Sequence, residues 1–333
     1  MNKAQLINHI KSIYDERSMI ALNKLEKLEN SYLAEHPDLE AALEKRADLR
    51  WSNLQDILAG KDKDELLDES KLELPAELEA EYKEYNNLDK QAFFCDLCLD
   101  QGHINNKYCP NCYNDVFIKV LKEDIPAYLP NKDFTFDNFD LKVFSDEDIE
   151  LGQATTSART QMQYNLKRTK EFIENFPAAA NMFFQGPIGT GKTFLASCIA
   201  NSLLKENYLA LVLSTNFIEE IINNLRVKEQ SFSTKEAELD KAKKDYQLLL
   251  EADLLVIDDF GIMAGLLNNP LAEIMNLLSL RKLKNKSTII TTNLNMRQLK
   301  SVYDERLFSR LVDNFDILSF IGADLRLKGK LEA

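Results

Sequence analysis

Eight consecutive residues constrain this chain more than any other feature. Gly186-Pro187-Ile188-Gly189-Thr190-Gly191-Lys192-Thr193 follow a short apolar run, Met182-Phe183-Phe184, and lead into Phe194-Leu195-Ala196-Ser197-Cys198-Ile199-Ala200, which reads as a helix. A G-x-x-x-x-G-K-[ST] octet between a strand and a helix is a phosphate-binding P-loop. Its glycines let successive backbone N–H groups converge on one anion, and the helix N-terminus adds partial positive charge at the same point. Gly186, Pro187, Gly189, Thr190 and Gly191 are therefore read as the cradle. Lys192 is expected to reach the β- and γ-phosphates, and Thr193 to ligate Mg²⁺ through its hydroxyl. The cofactors expected here are ATP and Mg²⁺, and the activity expected is ATP hydrolysis.

Downstream, Leu254-Leu255-Val256-Ile257-Asp258-Asp259 is an apolar strand ending in two carboxylates. Asp258 is read as holding the Mg²⁺ shell and Asp259 as the general base that polarises the attacking water, although Asp is one methylene shorter than the Glu common at that place. Thr288-Ile289-Ile290-Thr291-Thr292 is a buried strand followed by Asn293. If that strand is central, Asn293 lies between the P-loop and the acidic pair, where it orients the water or senses the γ-phosphate. Further on, Arg306 and Arg310 fall one turn apart on a helix. Either they pair with Asp304 or Glu305 at the surface, or one enters a neighbouring subunit's site to stabilise transition-state charge. Strands are expected near Asn181–Gln185, Leu209–Ser214, Leu254–Asp258, Thr288–Thr292 and Ile317–Ile321, with helical segments between them, which makes a five-stranded parallel sheet in an α/β domain.

Ahead of this lies Cys95-x2-Cys98-x10-Cys109-x2-Cys112. Two C-x-x-C pairs complete the four-thiolate tetrahedron that structural zinc prefers, leaving no open position for catalysis. A loop this short could hardly fold on apolar burial alone, and metal binding supplies the difference. His103 replacing one thiolate, and redox use of either pair, are the weaker alternatives. In the first third, Leu6, Ile10, Ile13, Leu22, Leu25 and Leu28 recur at mostly helical spacing, and a second helix after Pro37 sets Leu39, Leu43, Ala47, Trp51, Leu54 and Leu58 on one side. Residues 1–92 hold 13 Lys+Arg against 21 Asp+Glu, within a chain of net charge −13. That surface is either solvated or a dock for a basic partner, and the acidic stretch 61–89 is either a third helix or a flexible connection. The overall charge argues against coating duplex DNA. No run approaches the about 18 apolar residues of a membrane span, and no signal-peptide pattern opens the chain, so a cytoplasmic protein is expected.

Taken in order, the P-loop, the Asp258-Asp259 pair, Thr291-Thr292-Asn293 and Glu305-Arg306-x3-Arg310 resemble the AAA+ ATPases that load bacterial replicative helicases, the DnaC and DnaI kind, over roughly residues 133–328. The helical region and cysteine unit ahead of the ATPase resemble the DnaI arrangement in particular. The resemblance implies three segments: residues 1–92 as an acidic helical region that binds the helicase hexamer, 93–132 as the zinc unit and linker, and 133–333 as the AAA+ domain without a helical lid. It also implies Asn293 as sensor 1, Arg310 as arginine finger with Arg306 in reserve, self-association through the AAA+ domain, and single-stranded DNA as a partner. Arg326 is expected to approach the nucleotide from the tail, and Lys241, Lys243 and Lys244 to offer a basic stripe to DNA. Two other readings stay open: an IstB-like helper of a transposase, and a non-catalytic adaptor whose ATP site only stabilises a scaffold.

Overall fold

The protein is described here from a computed structural model covering residues 3–59, 74–151, 154–231, 233–261, 270–302 and 315–327. Backbone packing divides the chain into two bodies: His9–Tyr113, and residues 1–8 with 114–333.

The smaller body is mostly helical. α1 (Lys3–Glu35), which enters this body at His9, is followed by α2 (Pro37–Leu58), whose first position takes a proline because the N–H it lacks has no partner there in any helix. α3 (Glu79–Tyr85) and α4 (Asp89–Ala92) follow. Tyr32 donates its hydroxyl to the Glu81 carbonyl at 3.1 Å, and Arg46 donates to the Tyr82 hydroxyl at 3.2 Å, so α3 is tied to both long helices. The acidic stretch is thus helical over Glu79–Tyr85, whereas residues 60–73 lie outside the described residues. β1 (His103–Ile104) and β2 (Lys107–Tyr108) form an antiparallel hairpin between the two cysteine pairs.

The side that helical spacing gives to the apolar residues of α2 is not its covered side. Leu39 is fully buried, but Ala47, Trp51, Leu54 and Leu58 are exposed, Trp51 at 62% and Leu58 at 79%. A helix of 3.6 residues per turn advances about 40° beyond a full turn at each four-residue step. The steps from Leu39 through Leu43 and Ala47 to Trp51 therefore rotate the stripe off the covered face, which instead carries Arg46, Leu49 and Asn53.

The larger body opens with α5 (Tyr113–Asp124), a ribbon of β3 (Asp148–Leu151) and β4 (Ala154–Ser157), and α6 (Ala158–Glu174), capped by the Ser157 hydroxyl accepting from the Thr160 amide at 3.1 Å. Then come β5 (Asn181–Gln185), α7 (Lys192–Lys205), β6 (Ala210–Ser214), α8 (Thr215–Gln230), α9 (Glu236–Glu251), β7 (Leu254–Phe260), α10 (Pro270–Leu283), β8 (Ser287–Thr292), α11 (Met296–Val302) and β9 (Phe315–Ser319). The last five strands form the expected parallel sheet, in the order β6-β7-β8-β5-β9. Phe183, Phe184 and Leu254 through Ile257 are wholly buried, and all six residues of β8 are buried, as a parallel sheet covered on both faces requires. Because the strands run parallel, the loops leaving β5, β7, β8 and β9 emerge at one edge. Ligands of open α/β sheets bind at that edge, beside the strand where the order reverses, which here is β5.

Candidate functional site

The P-loop leaves β5 and turns into α7 within six residues, and its backbone is pressed from the side by the segment after β9. A Cβ at Gly186 would stand 2.1 Å from the Phe320 carbonyl oxygen, and one at Gly189, where φ is +75°, would stand 1.7 Å from an Asp324 carboxylate oxygen. Glycine is required at both places. Thr190 closes the loop by donating to the Pro187 carbonyl at 2.8 Å. The Lys192 ammonium folds back over the loop and donates to the carbonyls of Gly186 at 2.8 Å and Pro187 at 2.6 Å. Burial pushes its pKa down to about 8, against the opposing pull of Asp259 and Asp258.

Across the edge, Thr193 donates its hydroxyl to the Asp258 carboxylate at 2.8 Å. That separation matches neighbouring oxygen ligands of an octahedral Mg²⁺, about 3 Å apart for bonds of about 2.1 Å, so the pair fits a shared cation. Burial raises the Asp258 pKa, while donation from Thr291 and Thr193 pulls it back. Asp259 carries its side chain toward solvent from a left-handed backbone, φ +55°, and accepts from the Asn293 amide at 3.1 Å. Asn293 reaches it because β8 lies between β5 and β7. A cavity of about 740 Å³ joins these groups. Its lining presents Lys192, Thr193, Asp259, Asn293 and Arg326 together with the rings of Phe134, Phe139, Phe144 and Phe194. Phe194 meets Phe134 with ring centroids 4.7 Å apart and Phe139 edge-on at 5.8 Å. An aromatic wall beside a phosphate cradle suits a base on one side and charged oxygens on the other.

A family model described as IstB-like ATP binding protein matches residues 140–333, more than half of the chain. This chain belongs to the IstB-like ATP-binding family. It is similar to the replicative helicase loader DnaC of Escherichia coli (strain K12), 26% identical over 147 residues that make up 44% of this chain and 56% of the loader. It is also similar to an insertion sequence IS21-like putative ATP-binding protein of Bacteroides fragilis, 29% identical over 157 residues, 46% of this chain and 55% of that protein. Among solved structures, that of the DnaC helicase loader is 20% identical at a TM-score of 0.42, covering 57% of this chain and all of that one. The chain thus spans little more than half the length of the curated relatives it matches.

Several parts of this IstB-like protein were not legible as site residues beforehand. Phe144 and Phe194 complete the aromatic wall, for which the only signal was the density of phenylalanines on both sides of the P-loop. The tail delivers Arg326 to the cavity as expected, and lays Asp324 beside Gly189; the Arg326 guanidinium grips Asp324 at 3.1 and 3.0 Å while the Leu325 amide donates to the Gly189 carbonyl at 3.0 Å. Thr291, read as part of a strand and of the Thr291-Thr292-Asn293 motif without a role of its own, bonds the Asp258 carboxylate and the Asp259 backbone amide. Its signal was a hydroxyl in a wholly buried strand, which must find a partner. Arg306 and Arg310 lie outside the described residues. Lys241 and Lys244 share a groove with Asp124, Glu220 and Asp245, so the three lysines of α9 do not make an uninterrupted basic stripe. Among the described residues no helix is long and apolar enough to cross a membrane.

In the smaller body, the sulfurs of Cys95, Cys98, Cys109 and Cys112 all lie within 4.8 Å of one another. Cys95 and Cys109 are 3.8 Å apart and Cys98 and Cys112 3.5 Å apart. A tetrahedron with Zn–S bonds of about 2.3 Å has sulfurs about 3.8 Å apart, so the cluster is compatible with structural zinc. The Gly102 amide donates to Cys98 Sγ at 3.3 Å and the Asn111 side chain to Cys95 Sγ at 3.4 Å, the donors that thiolates need. Asp100, fully buried at φ +56°, accepts from the amides of Phe94 at 2.9 Å and Cys95 at 3.0 Å and so shapes the first turn. A Cβ on Gly102 would meet the Tyr14 ring at 2.8 Å, so α1 packs directly on the cluster. His103 is exposed and stands outside the group of four, its ring against Tyr108 and Tyr113.

Proposed function

We propose that this protein hydrolyses ATP as a switch that places a replicative helicase on single-stranded DNA. The observation that carries the hydrolytic part is the unbroken chain of contacts from Thr193 through Asp258 and Thr291 to Asp259 and Asn293. In this reading the P-loop amides and Lys192 hold the β- and γ-phosphates, while Thr193 and Asp258 hold Mg²⁺. Held by these residues, Mg²⁺ would supply positive charge to offset that of the phosphates. Asp259 accepts a proton from the attacking water, and the Asn293 amide keeps that carboxylate turned toward the phosphate end of the cavity. Arg310, or Arg306, is assigned to a neighbouring protomer's site, so the protein works as an oligomer. The loader assignment is supported by similarity to a helicase loader and by a second body with its own cysteine cluster, a part that an enzyme acting on small molecules does not need.

A second reading, a helper of a transposase, is favoured by the family and by the insertion-sequence relative. The test uses the full chain with ATP, Mg²⁺ and single-stranded DNA, and either the replicative helicase or a transposase of the same cell. Turnover that is lost in Lys192→Ala, together with a stable complex with the helicase, supports the loader. A complex with the transposase alone replaces it by the helper, and nucleotide binding without turnover reduces the chain to an adaptor.

A further inference from the structure

Strand β7 does not run evenly beside β8. Ile257 pairs with Ile290 and Phe260 with Thr292, so Asp258 and Asp259 together stand opposite the single residue Thr291. Two residues against one is a β-bulge, a feature that re-aims side chains at the price of one ladder position. Here the side chain opposite fills the gap. The Thr291 hydroxyl donates to Asp258 Oδ1 at 2.5 Å and accepts from the Asp259 backbone amide at 3.1 Å. The neighbouring Thr292 hydroxyl donates to the Phe260 carbonyl at 2.6 Å and accepts from the Leu294 amide at 3.1 Å, so it clasps the bulge's far end to the turn that carries Asn293. Both threonines are wholly buried.

We propose that Thr291 is the positioning residue of the acid pair: its single hydroxyl turns the Asp258 carboxylate toward Thr193 and fixes the left-handed backbone that aims Asp259 at the cavity. A hydroxyl has one proton to give, and Asp258 takes it, which leaves the lone pairs for the Asp259 amide. The amide, hydroxyl and carboxylate then form a chain in which each bond polarises the next. The metal-binding and water-activating acids are thus set from β8, the strand that also delivers Asn293, so the three groups are placed as one unit. This inference rests on the roles given above to Asp258 and Asp259.

The test compares Thr291→Val, which keeps the shape and removes both bonds, with Thr291→Ser, which keeps the hydroxyl. ATP affinity is measured with and without Mg²⁺, and steady-state turnover is measured alongside. In Thr291→Val the gain in affinity from Mg²⁺ falls about ten-fold and kcat falls at least as much, while affinity without Mg²⁺ is unchanged; Thr291→Ser stays within about three-fold of the wild type. If Thr291→Val does not fold, Thr291→Cys, similar in size and a poor hydrogen-bonding group, takes its place with the same expectation. A valine or cysteine variant with wild-type Mg²⁺ dependence and kcat overturns the proposal, as does a serine variant as impaired as valine, since that assigns the loss to packing. Wild-type protein that gains no ATP affinity from Mg²⁺ instead sinks the reading of Asp258 on which the proposal rests.

Discussion

The cysteine cluster and the phosphate cavity are both small sets of converging side chains, yet they are held by opposite means. The four thiols fall between Cys95 and Cys112, and the only regular structure between the pairs is a hairpin of two residues a side. The cavity draws on residues from Phe134 to Arg326, placed by a sheet whose central strands are buried on both faces. A local cluster depends for its shape on what it binds, because its loops bury little apolar surface of their own. A cavity at a sheet edge exists before its ligand arrives.

Chelation separates the two regions most strongly. Zinc bound by four thiolates in small units contributes about 10–16 kcal/mol to folding. Treating the protein with a chelator under reducing conditions, or making Cys98→Ser, is expected to abolish hydrogen-exchange protection around residues 94–113 and to leave ATP binding intact. Protection that survives metal removal would show the cluster to be held like the cavity, by packing.

The sheet's own dependence centres on Arg281, which is wholly buried, with burial pushing its pKa down to about 9. It donates to Thr288 Oγ1 at 3.0 Å and to the carbonyls of Leu249, Ala252 and Ser287 at 2.5, 3.1 and 2.5 Å, joining the end of α9 to the start of β8. Arg281→Met leaves those acceptors without donors and is expected to cost about 3 kcal/mol in denaturant unfolding of the larger body, with hydrogen-exchange protection around residues 94–113 unchanged. A cost below about 1 kcal/mol would mean the carbonyls find other donors.

A smaller effect follows from Lys192. A polyanion binds its protonated form, and the depressed pKa places deprotonation near pH 8. ATP affinity is therefore expected to fall as pH rises through about 8, by up to about ten-fold per unit, and to stay flat in Lys192→Arg. Between about pH 8 and 10.5 the unfolded chain is the stronger proton binder at this group, so its contribution to stability rises with pH over the same window. Calorimetric titration from pH 7.5 to 9.5 measures the first trend, and an affinity that holds to pH 9.5 in the wild type contradicts it.

The least effect belongs to Trp51. As a core residue it would cost about 3–5 kcal/mol to truncate. At 62% exposure, Trp51→Ala is expected to change stability by no more than about 0.5 kcal/mol, read from the melting curve of the smaller body. A loss of several kcal/mol would mean that the apolar side of α2 is covered.

The two regions also differ in how they could be read beforehand. C-x-x-C spacing is itself the geometry of a metal site, so the cluster needed no fold to be recognised, although Asp100 and the packing of Tyr14 against Gly102 did. In the larger body the P-loop, the Asp258-Asp259 strand and all five strands were legible, because each is a local pattern of apolar runs and turn residues. The α2 stripe misled because helical spacing reports which residues share a side, and only the neighbouring helices decide which side is covered.

What the sequence determined by itself was therefore the inventory: an octet shaped for phosphate, two carboxylates at a strand's end, four thiols in two pairs, and five strands separated by helices. What only the tertiary structure decided was adjacency. Consecutive parallel strands joined by helices need not lie side by side, and here β7 and β8 stand between β5 and β6 although β6 follows β5 in the chain. That insertion sets Thr291 against both acids and Asn293 against Asp259, and β9 on the other side of β5 lays Asp324 and Arg326 on the P-loop. The physical reason is that hydrogen bonds between parallel strands are blind to sequence distance. Burial of the central strands β7, β8 and β5 selects the order, and no local segment carries that information.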